Sequence, residues 1–408
     1  MDALTIEAAG GLEAVAKAEW DALANPGWSV GPLGKPTRLH DGAGAGAFNP
    51  FVSHDFLKCL EDAGCVGGRS GWRPRHILIR DAGGALIAAA PAYLKAHSQG
   101  EYVFDYGWAD AYERAGGQYY PKVQVSVPFT PAQGPRLLVG DTDVKNRRSI
   151  LARALVALAE QTGASSVHVT FTEPADYEAL TGADYLARHD TQFHWENRGY
   201  ATFDDFLAAL ASRKRKQVKR ERRDALATGI KIRWLTGADI TEAHWDAFYD
   251  FYTETGSRKW GRPYLNRNFF SLLGERVGAS VCLMLAERDG RPIAGALNLI
   301  GSETLFGRYW GCVEEHPFLH FEVCYYQAID FAIEHGLVRV EAGAQGEHKL
   351  ARGYEASQTR SAHYLLHPGL RDAVAHYLEN ERRAVEHQNE VLNSYAPFRK
   401  DGRAPQDP

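Results

Sequence analysis

An internal repeat is the feature of this sequence that most constrains its fold, because a repeated order of elements predicts two copies of one structural unit. Residues 77–81, a glycine turn and residues 86–91 predict a β-hairpin. Residues 285–289, Gly290 and residues 293–297 predict a second hairpin with a shorter turn. The two hairpins therefore predict the start of two related domains.

The repeat continues beyond each hairpin as an aromatic segment, a helix that ends at glycine, and a strand. The paired segments are 106–108 with 309–311, 151–163 with 325–336, and 166–170 with 338–342. The first copy also carries an insertion of about thirty residues, which contains residues 119–122 and 129–135. Each copy is predicted to fold as hairpin, strand, helix and strand.

The 408 residues are long enough for two or three domains. We predict an α+β protein of tandem duplicated domains, with mixed sheets flanked by helices. The predicted boundaries are residues 1–199 for the first domain and 200–366 for the second, which opens with a basic helix. Residues 367–408 are predicted to form a C-terminal helix and a frayed tail.

Composition excludes several classes of protein. With 45% hydrophobic and 24% charged residues, the chain has enough apolar material for sizeable cores, which excludes disorder, collagen and coiled coil. No apolar run approaches the roughly 20 residues of a membrane helix, so we expect no membrane insertion. The N-terminus has neither a basic nor an apolar region typical of a secretory signal, and we expect a cytoplasmic protein.

Common enzyme and metal motifs are absent from the sequence. There is no GxSxG elbow, no GxxxxGK[ST] loop and no CxxC pair. Cys282 and Cys324 lie in apolar runs typical of the core. His316 and His320 have i, i+4 spacing, but Pro317 disfavours a helix across them, so no metal site is predicted.

A basic helix is predicted within residues 202–226. Residues 213–223 contain eight basic residues and one acid, and Arg213, Lys216, Arg220 and Arg223 fall on one helical face. Such a run is either a solvated face or, because eight like charges repel one another, a surface that an anionic partner neutralises. In a chain of net charge −5, the second interpretation indicates a polyphosphate or RNA partner.

Two further segments combine groups suited to chemistry. Residues 341–352 begin at the C-terminal end of a predicted strand, where ligands of α/β sheets gather, and Glu347, His348, Lys349 and Arg352 offer base, acid and anion-binding groups. A polar loop with a salt bridge would show the same pattern. The other segment mixes aromatic and acidic residues, which suits a cationic or amine substrate but also suits core packing. Its members are Tyr106, Trp108, Asp110, Tyr112 and Glu113.

The duplicated unit and its basic helix resemble the Fem-type branch of the GNAT acyltransferases. Four segments carry a narrower resemblance to a bacterial Fem-like family for peptidoglycan biosynthesis and recognition: EYVFDYGWADAYE at 101–113, FTPAQGPRLL at 129–138, SRKRK at 212–216 and EAGAQGEHKLARG at 341–353. The resemblance covers about residues 45–400. It implies two tandem GNAT-like domains and amino-acid transfer from aminoacyl-tRNA to peptidoglycan precursors.

The sequence departs from the acetyl-CoA-dependent GNAT enzymes at one motif. Their Q/R-x-x-G-x-G/A loop for pyrophosphate is missing, and the nearest run, residues 339–344, has the wrong spacing. Fem-type members also lack that loop, so its absence favours charged tRNA or another large donor. The arm that some Fem enzymes insert in the second domain is not visible, which leaves the basic helix to hold tRNA.

These observations predict an N-acyl- or aminoacyltransferase that acts on an amine acceptor without a covalent enzyme intermediate. Glu347 or His348 is the predicted base, with Lys349 and Tyr309 as donors to the oxyanion. Arg213, Lys216 and Arg220 are predicted to contact donor phosphates. Glu341, Gln345 and Arg352 are predicted to bind substrate, together with the aromatic and acidic set.

No tightly bound cofactor and no metal are predicted, and the co-substrate would be aminoacyl-tRNA or acyl-CoA. The acceptor would be a small amine or a peptidoglycan precursor. Two alternatives stay open at this point. One is an acyl-CoA-dependent N-acyltransferase, and the other is a non-catalytic binder of peptidoglycan precursor or RNA.

Overall fold

The computed structural model describes residues 3–39, 46–259, 263–343 and 346–399, with the side chains of 257–259 left aside. Its strands are β1 Thr5–Ala9, β2 Trp28–Val30, β3 Pro36–Arg38, β4 Trp72–Pro74, β5 His76–Arg80, β6 Leu86–Ala90, β7 Ala92–Lys95, β8 Lys122–Val125, β9 Ser166–Val169, β10 Leu186–Glu196, β11 Lys231–Thr236, β12 Val281–Arg288, β13 Arg291–Ile300, β14 Thr304–Cys312, β15 Arg339–Glu341 and β16 Glu355–Leu365.

The helices alternate with these strands. They are α1 Lys17–Ala24, α2 His54–Asp62, α3 Tyr106–Arg114, α4 Val144–Thr162, α5 Pro174–Thr181, α6 Phe203–Ala209, α7 Ser212–Leu226, α8 Glu242–Lys259, α9 Arg267–Val277, α10 Leu319–Phe321, α11 Gln327–Glu334 and α12 Pro368–Ser394. A π-helical turn, Glu322–Tyr326, joins α10 to α11, and a 3-10 turn, Glu347–Arg352, follows β15.

The chain divides into two compact units. Unit 1 comprises Met1–Pro32, Pro36–Asp190 and Gln358–Glu386, and unit 2 comprises Leu33–Lys35, Thr191–Ser357 and His387–Pro408. The main division therefore falls inside β10, and the chain returns to unit 1 inside β16. The predicted domain boundaries at 199/200 and 366/367 stay a prediction about the duplicated sequence. Of the predicted frayed tail, 399–408, residues 400–408 lie outside the described residues.

Unit 1 contains two sheets of three or more strands, besides the short β2–β3 pair. One has the strand order β1-β5-β6, and the other runs β16-β9-β8-β7-β4, with β8 and β9 parallel and their other neighbours antiparallel. The apolar face of the second sheet, with Val123, Val125, Val167 and Val169, packs with Leu151 and other residues of α4. Burial of this face supplies the hydrophobic core of the unit.

Unit 2 repeats this arrangement with the strand order β11-β12-β13-β14-β15-β10. Its single parallel pair among the described strands is β14–β15, and the others are antiparallel. Met284, Ala296 and Val340 from the sheet pack with Ile329 and Phe331 of α11 in one buried cluster. In both units a helix therefore connects two neighbouring parallel strands, as the repeat predicted.

Most predicted elements are confirmed. Both hairpins form, as β5–β6 and β12–β13. The helix of the first copy ends at Gly163, which adopts the left-handed φ of 65° that glycine tolerates, and Gly336 does the same in the second copy with the same φ. Together with the mixed sheets and flanking helices, these elements confirm the predicted α+β fold class.

The predicted match between segments 106–108 and 309–311 is wrong. Tyr309 lies in β14, whereas Tyr106 opens α3. Helical spacing places Trp108 and Tyr112 on one face, where they pack with Tyr119 in a small aromatic core, and this packing favours a helix. The counterpart of β14 in unit 1 is β8, which lies in the segment that the sequence indicated as an insertion.

The predicted single helix of residues 202–226 is also wrong, because the chain forms α6 and α7 with a break between them. Thr202 and Asp205 form a reciprocal cap at the start of α6. At the break, Leu210 is extended and buried and forms an antiparallel bridge with Phe398. The backbone hydrogen bonds to the C-terminal segment replace helical ones, so helix continuity is lost at this point.

Candidate functional site

The candidate site of unit 2 begins where two parallel strands separate. β14 and β15 pair from Thr304 with Arg339 to Phe306 with Glu341. Beyond that point the described part of β14 continues to pair with β13 only, while the chain after Glu341 turns away. At the point of separation Gly307 lies so close that a Cβ atom there would be 3.3 Å from the Glu341 carbonyl oxygen. The separation leaves one edge of β14 next to the loop that carries residues 347–352.

Lys349 holds this loop to the end of β15 through hydrogen bonds. Its side chain is 2% exposed, and its ammonium donates hydrogen bonds to the carbonyl oxygens of Ala342 at 2.6 Å and Gly343 at 3.1 Å. Burial lowers the pKa of Lys349 to about 8. The predicted oxyanion role of Lys349 stays a prediction, and the role visible in the fold is to hold the loop.

His348 and Glu347 are both exposed on the turn Glu347–Arg352. The Nε2 atom of His348 lies 2.9 Å from the hydroxyl of Tyr325. The Tyr325 hydroxyl can donate to Nε2 or accept from it, so the contact fits both neutral tautomers, and His348 can accept a proton at Nδ1 in the tautomer whose Nε2–H donates to Tyr325. Within the described residues, the Glu347 carboxylate makes no hydrogen bond or ion pair.

Arg352 forms a buried ion pair with Glu221 of α7. Its Nη2 atom donates to both carboxylate oxygens of Glu221, at 3.1 and 2.9 Å, and its Nη1 atom donates to the His348 carbonyl at 2.7 Å. The guanidinium carbon also lies 3.4 Å from the centre of the Phe321 ring. The predicted substrate-binding guanidinium is thus already engaged by the protein, and its direct role toward substrate stays a prediction.

The opposite face of α7 is exposed and cationic. Arg213, Lys216 and Arg220 are exposed, and none of them makes an ion pair with the described residues. We call these three residues the basic face. Val218 and Ala225 are buried on the other side of the helix, which agrees with the 3.6-residue period. Some other cations of the helix are paired, as in Arg223 with Asp224 at 2.8 Å.

Glu341 is buried at the end of β15 and lies opposite His194 of β10 in the antiparallel register. His194 Nε2 is 3.1 Å from Gln192 Oε1. The pKa of His194 is lowered to about 3 by burial and by the positive charges of Arg339 and Lys349. Glu341 and His194 therefore form a polar position in the sheet near the loop. Predicted Gln345 lies outside the described residues.

Tyr309 lies on β14 but packs on α8. Its ring is 5.1 Å from the Tyr252 ring in an edge-to-face contact. The next residue, Trp310, points to the other face of the strand and packs 5.2 Å from His320, which is 6.3 Å from His348. The fold thus places Tyr309 and the ring of His348 on different faces of β14, and the predicted oxyanion role of Tyr309 stays a prediction.

The predicted aromatic and acidic set belongs to unit 1, on α3. Trp108 is buried, and its ring contacts His363 at 5.1 Å and the Arg188 guanidinium at 4.8 Å. Tyr112 packs against His367 at 5.4 Å. Asp110 pairs with Arg114 at 2.8 Å in solvent, and Tyr106 and Glu113 are exposed. Core packing therefore accounts for Trp108, and Tyr106, Asp110 and Glu113 form the exposed side of α3.

Sequence reasoning missed a buried charged network beneath α3. Lys122 donates to Glu101 at 2.7 Å and to Asp105 at 2.5 Å, and Tyr119 donates to Asp105 at 2.7 Å. The Lys122 ammonium holds the pKa of Asp105 below its usual range despite burial, while burial raises the pKa of Glu101. The signal in the sequence was a charged residue on the alternating strand Lys122–Val125.

A second missed feature is Glu221 itself, the one acid in the basic run. Its signal was its position, because Glu221 shares the buried helical face of Val218 and Ala225.

Two kinds of feature are absent from the described residues. No helix there is long and apolar enough to cross a membrane. No group of three or more His, Cys, Asp or Glu residues in the same part of the chain is arranged to hold a metal ion.

Comparison with known proteins decides the family. The sequence matches the FemAB-like family, described as peptidoglycan biosynthesis/recognition, over residues 11–400. The chain belongs to the FemAB-like family. The predicted resemblance is thereby confirmed over nearly the whole chain of this FemAB-like protein. No curated protein matches its sequence.

Several solved structures are similar to this chain, and among them FemX shares its fold. The crystal structure of FemX superposes on the FemAB-like protein with a TM-score of 0.52 and 12% identity, and it covers 88% of this chain and 98% of FemX. The structure of L-PGS from Bacillus licheniformis gives a TM-score of 0.46 at 9% identity, over 84% of this chain and 96% of that one. A tandem GNAT protein from the clavulanic acid biosynthesis pathway gives 0.42 at 12% identity, over 90% and 99%.

Proposed function

We propose that this FemAB-like protein is an N-acyl- or aminoacyltransferase that takes its acyl group from aminoacyl-tRNA and transfers it to an amine. One observation carries the proposal. The helix that presents Arg213, Lys216 and Arg220 to solvent also contacts the turn Glu347–Arg352 through the Glu221–Arg352 ion pair. A surface for a polyanion and a turn with groups for proton transfer therefore share one helix.

The spacing of the basic face supports an extended polyanion. Arg213 and Arg220 are seven residues apart, which corresponds to about 10 Å along an α-helix. Three cations over that length fit several phosphates of a nucleic-acid strand, whose backbone charge dominates binding. The missing pyrophosphate loop of the acetyl-CoA-dependent enzymes also favours this donor.

The proposed reaction is a direct acyl transfer. The amine nitrogen of the acceptor attacks the ester carbonyl carbon, a C–N bond forms, and the C–O bond to the ribose of the tRNA breaks. The amine loses a proton to His348 or Glu347, and the leaving ribose oxygen takes up a proton. Both side chains are exposed on the turn, so a substrate reaches them without displacing core residues.

For the acceptor, we propose a peptidoglycan precursor or another small amine. The description of the FemAB-like family as peptidoglycan biosynthesis/recognition supports this class. On α3 of unit 1, the exposed residues Tyr106, Asp110 and Glu113 combine aromatic and acidic groups, which suits a cationic ligand. The buried side chain of Trp108 packs α3 onto the core of unit 1.

The test offers the purified protein a panel of aminoacyl-tRNAs and, separately, of acyl-CoAs, with an extract of cell metabolites as the source of acceptors. Mass spectrometry then follows consumption of the donor and appearance of the acylated product. We expect consumption of aminoacyl-tRNA and no consumption of acyl-CoA. Consumption of acyl-CoA alone would show that acyl-CoA, and not aminoacyl-tRNA, is the donor. Consumption of neither would indicate a non-catalytic binder.

A further inference from the structure

Glu221 is an unusual residue for the middle of a cationic helix. It is 2% exposed, although the residues around it in sequence are mostly basic and half-buried or exposed. Burying a carboxylate costs free energy unless a cation and hydrogen-bond donors compensate. The fold supplies both.

Three side chains converge on the Glu221 carboxylate. The Arg352 guanidinium binds both of its oxygens, the Tyr326 hydroxyl donates at 2.5 Å, and the Gln217 amide donates at 2.9 Å. Burial and the hydrogen bond to Glu221 raise the pKa of Tyr326, so its hydroxyl remains a donor. A carboxylate held in this way has a single orientation.

Arg352 connects the Glu221 carboxylate to the turn Glu347–Arg352. The same guanidinium that binds Glu221 donates to the carbonyl oxygen of His348, and the Phe321 ring covers its face. Gly346, at a φ of 121°, allows the close approach of the His348 ring, since a Cβ atom there would lie 2.5 Å from His348 Cε1. The backbone of His348 is thereby fixed to α7.

Arg220 and Glu221 are adjacent in sequence and about 100° apart around α7, so that one is exposed and the other is buried. A polyanion that binds the basic face therefore acts on the same rigid helix that holds Arg352. We propose that Glu221 is a positioning residue that couples occupancy of the basic face to the geometry of the turn Glu347–Arg352. This inference rests on the proposed function and names the residue that links its two parts.

The first experiment reads this coupling without any turnover. Hydrogen–deuterium exchange of residues 346–353 is measured with and without uncharged tRNA, in wild type and in Glu221→Gln. We expect tRNA to slow exchange of these amides in wild type only, with Glu221→Gln binding tRNA as tightly as wild type because its basic face is intact. The same exchange response in both proteins would overturn the proposal.

Glu322→Gln is the matched control. Glu322 is a buried acid of the π-helical turn Glu322–Tyr326. It pairs with Arg222 of α7 at 3.0 Å, and this contact anchors α7 to an element other than the turn Glu347–Arg352. If Glu221 acts only by anchoring the helix, the two variants will lose the exchange response equally, which would overturn the proposal. We expect Glu322→Gln to keep it.

The second experiment measures turnover with the donor found active. We expect Glu221→Gln to lower kcat by about 10²-fold with KM for the donor unchanged, the size of effect that small misplacement of a reacting group produces. Arg352→Lys, which keeps the charge but loses the two-pronged contact, should lower kcat in the same way. A change in KM alone would contradict a positioning role. An inactive wild type would instead contradict the proposed function, while the exchange experiment would still test the coupling.

Discussion

The Nδ1 atoms of His168 and His363 lie 2.7 Å apart in the core of unit 1, although 195 positions separate them in the chain. One ring must donate and the other accept, so the accepting histidine is neutral. Burial lowers the pKa of His168 to about 3 and that of His363 well below its usual value. They are opposite each other in the register of β9 and β16.

Unit 2 repeats this relationship with different side chains. His194 of β10 lies opposite Glu341 of β15, just as His363 of β16 lies opposite His168 of β9. In each unit, one residue of the polar pair lies on the second of the two parallel strands, which is β9 in unit 1 and β15 in unit 2. The connecting helix leads into that strand. The duplication thus extends to a polar position in each sheet, and in unit 2 that position lies next to the candidate site.

The first prediction concerns the pH dependence of stability. Because the pKa of His168 is about 3 in the folded protein and near 6.5 when unfolded, the unfolded state binds more protons between these values. The free energy of unfolding should therefore rise with pH from about 3 to 6.5, and His168→Gln should remove about 1.4 kcal/mol per pH unit of that slope. Chemical denaturation at several pH values measures it.

His387→Gln serves as the control for this experiment, because His387 is exposed on α12. Its slope should equal that of wild type. An unchanged slope in His168→Gln would show that His168 is protonated in the fold.

The second prediction concerns RNA binding by the basic face. Each phosphate contact contributes about −0.7 to −0.9 to the slope of log affinity against log salt concentration. Replacing Arg213, Lys216 and Arg220 together with Gln should flatten that slope by about two to three and weaken binding at every salt concentration. Fluorescence anisotropy with labelled tRNA measures both quantities.

The control variant removes exposed cations outside α7, by Lys231→Gln, Arg291→Gln and Arg383→Gln. It has the same net charge as the triple variant of α7, so it isolates position from total charge. Equal losses of RNA affinity in the two triple variants would show that the basic face is an ordinary solvated surface.

The third prediction concerns proton transfer at the turn. Glu347→Gln or His348→Ala should lower turnover by about 10²–10⁴-fold, the usual contribution of a general base. Both side chains are exposed, so thermal stability should change little. Glu303→Gln, an exposed acid elsewhere in unit 2, should keep full activity. If both turn variants are fully active, the amine proton goes to another group, such as the terminal hydroxyl of the tRNA.

The fourth prediction concerns Lys349. Since burial lowers its pKa to about 8 from about 10.5, the unfolded state binds more protons between these two values. The free energy of unfolding of wild type should rise with pH across that window relative to Lys349→Met, by up to about 1.4 kcal/mol per pH unit. Difference curves from urea unfolding between pH 7 and 10 measure this effect, and a flat difference curve would contradict the lowered pKa of Lys349.

Much of the order of elements was available from the sequence, because it depends on local periodicity. The hairpins β5–β6 and β12–β13 follow from alternating residues and glycine turns, and α4 and α12 follow from apolar spacing. The turn Glu347–Arg352 was also predictable as a polar segment after a strand. These features involve neighbours in the chain and need no knowledge of distant contacts.

Distant contacts decided the rest. The break before α7 exists because Leu210 bridges to Phe398, and nothing within residues 202–226 encodes that partner. Arg352 is engaged because α7 brings Glu221 to it, 131 positions earlier in the chain. Free energies of burial and ion pairing depend on which groups the fold brings together. The sequence by itself thus determined which elements and polar groups this protein has, and only the tertiary structure decided which of those groups are already paired and which remain exposed to a substrate.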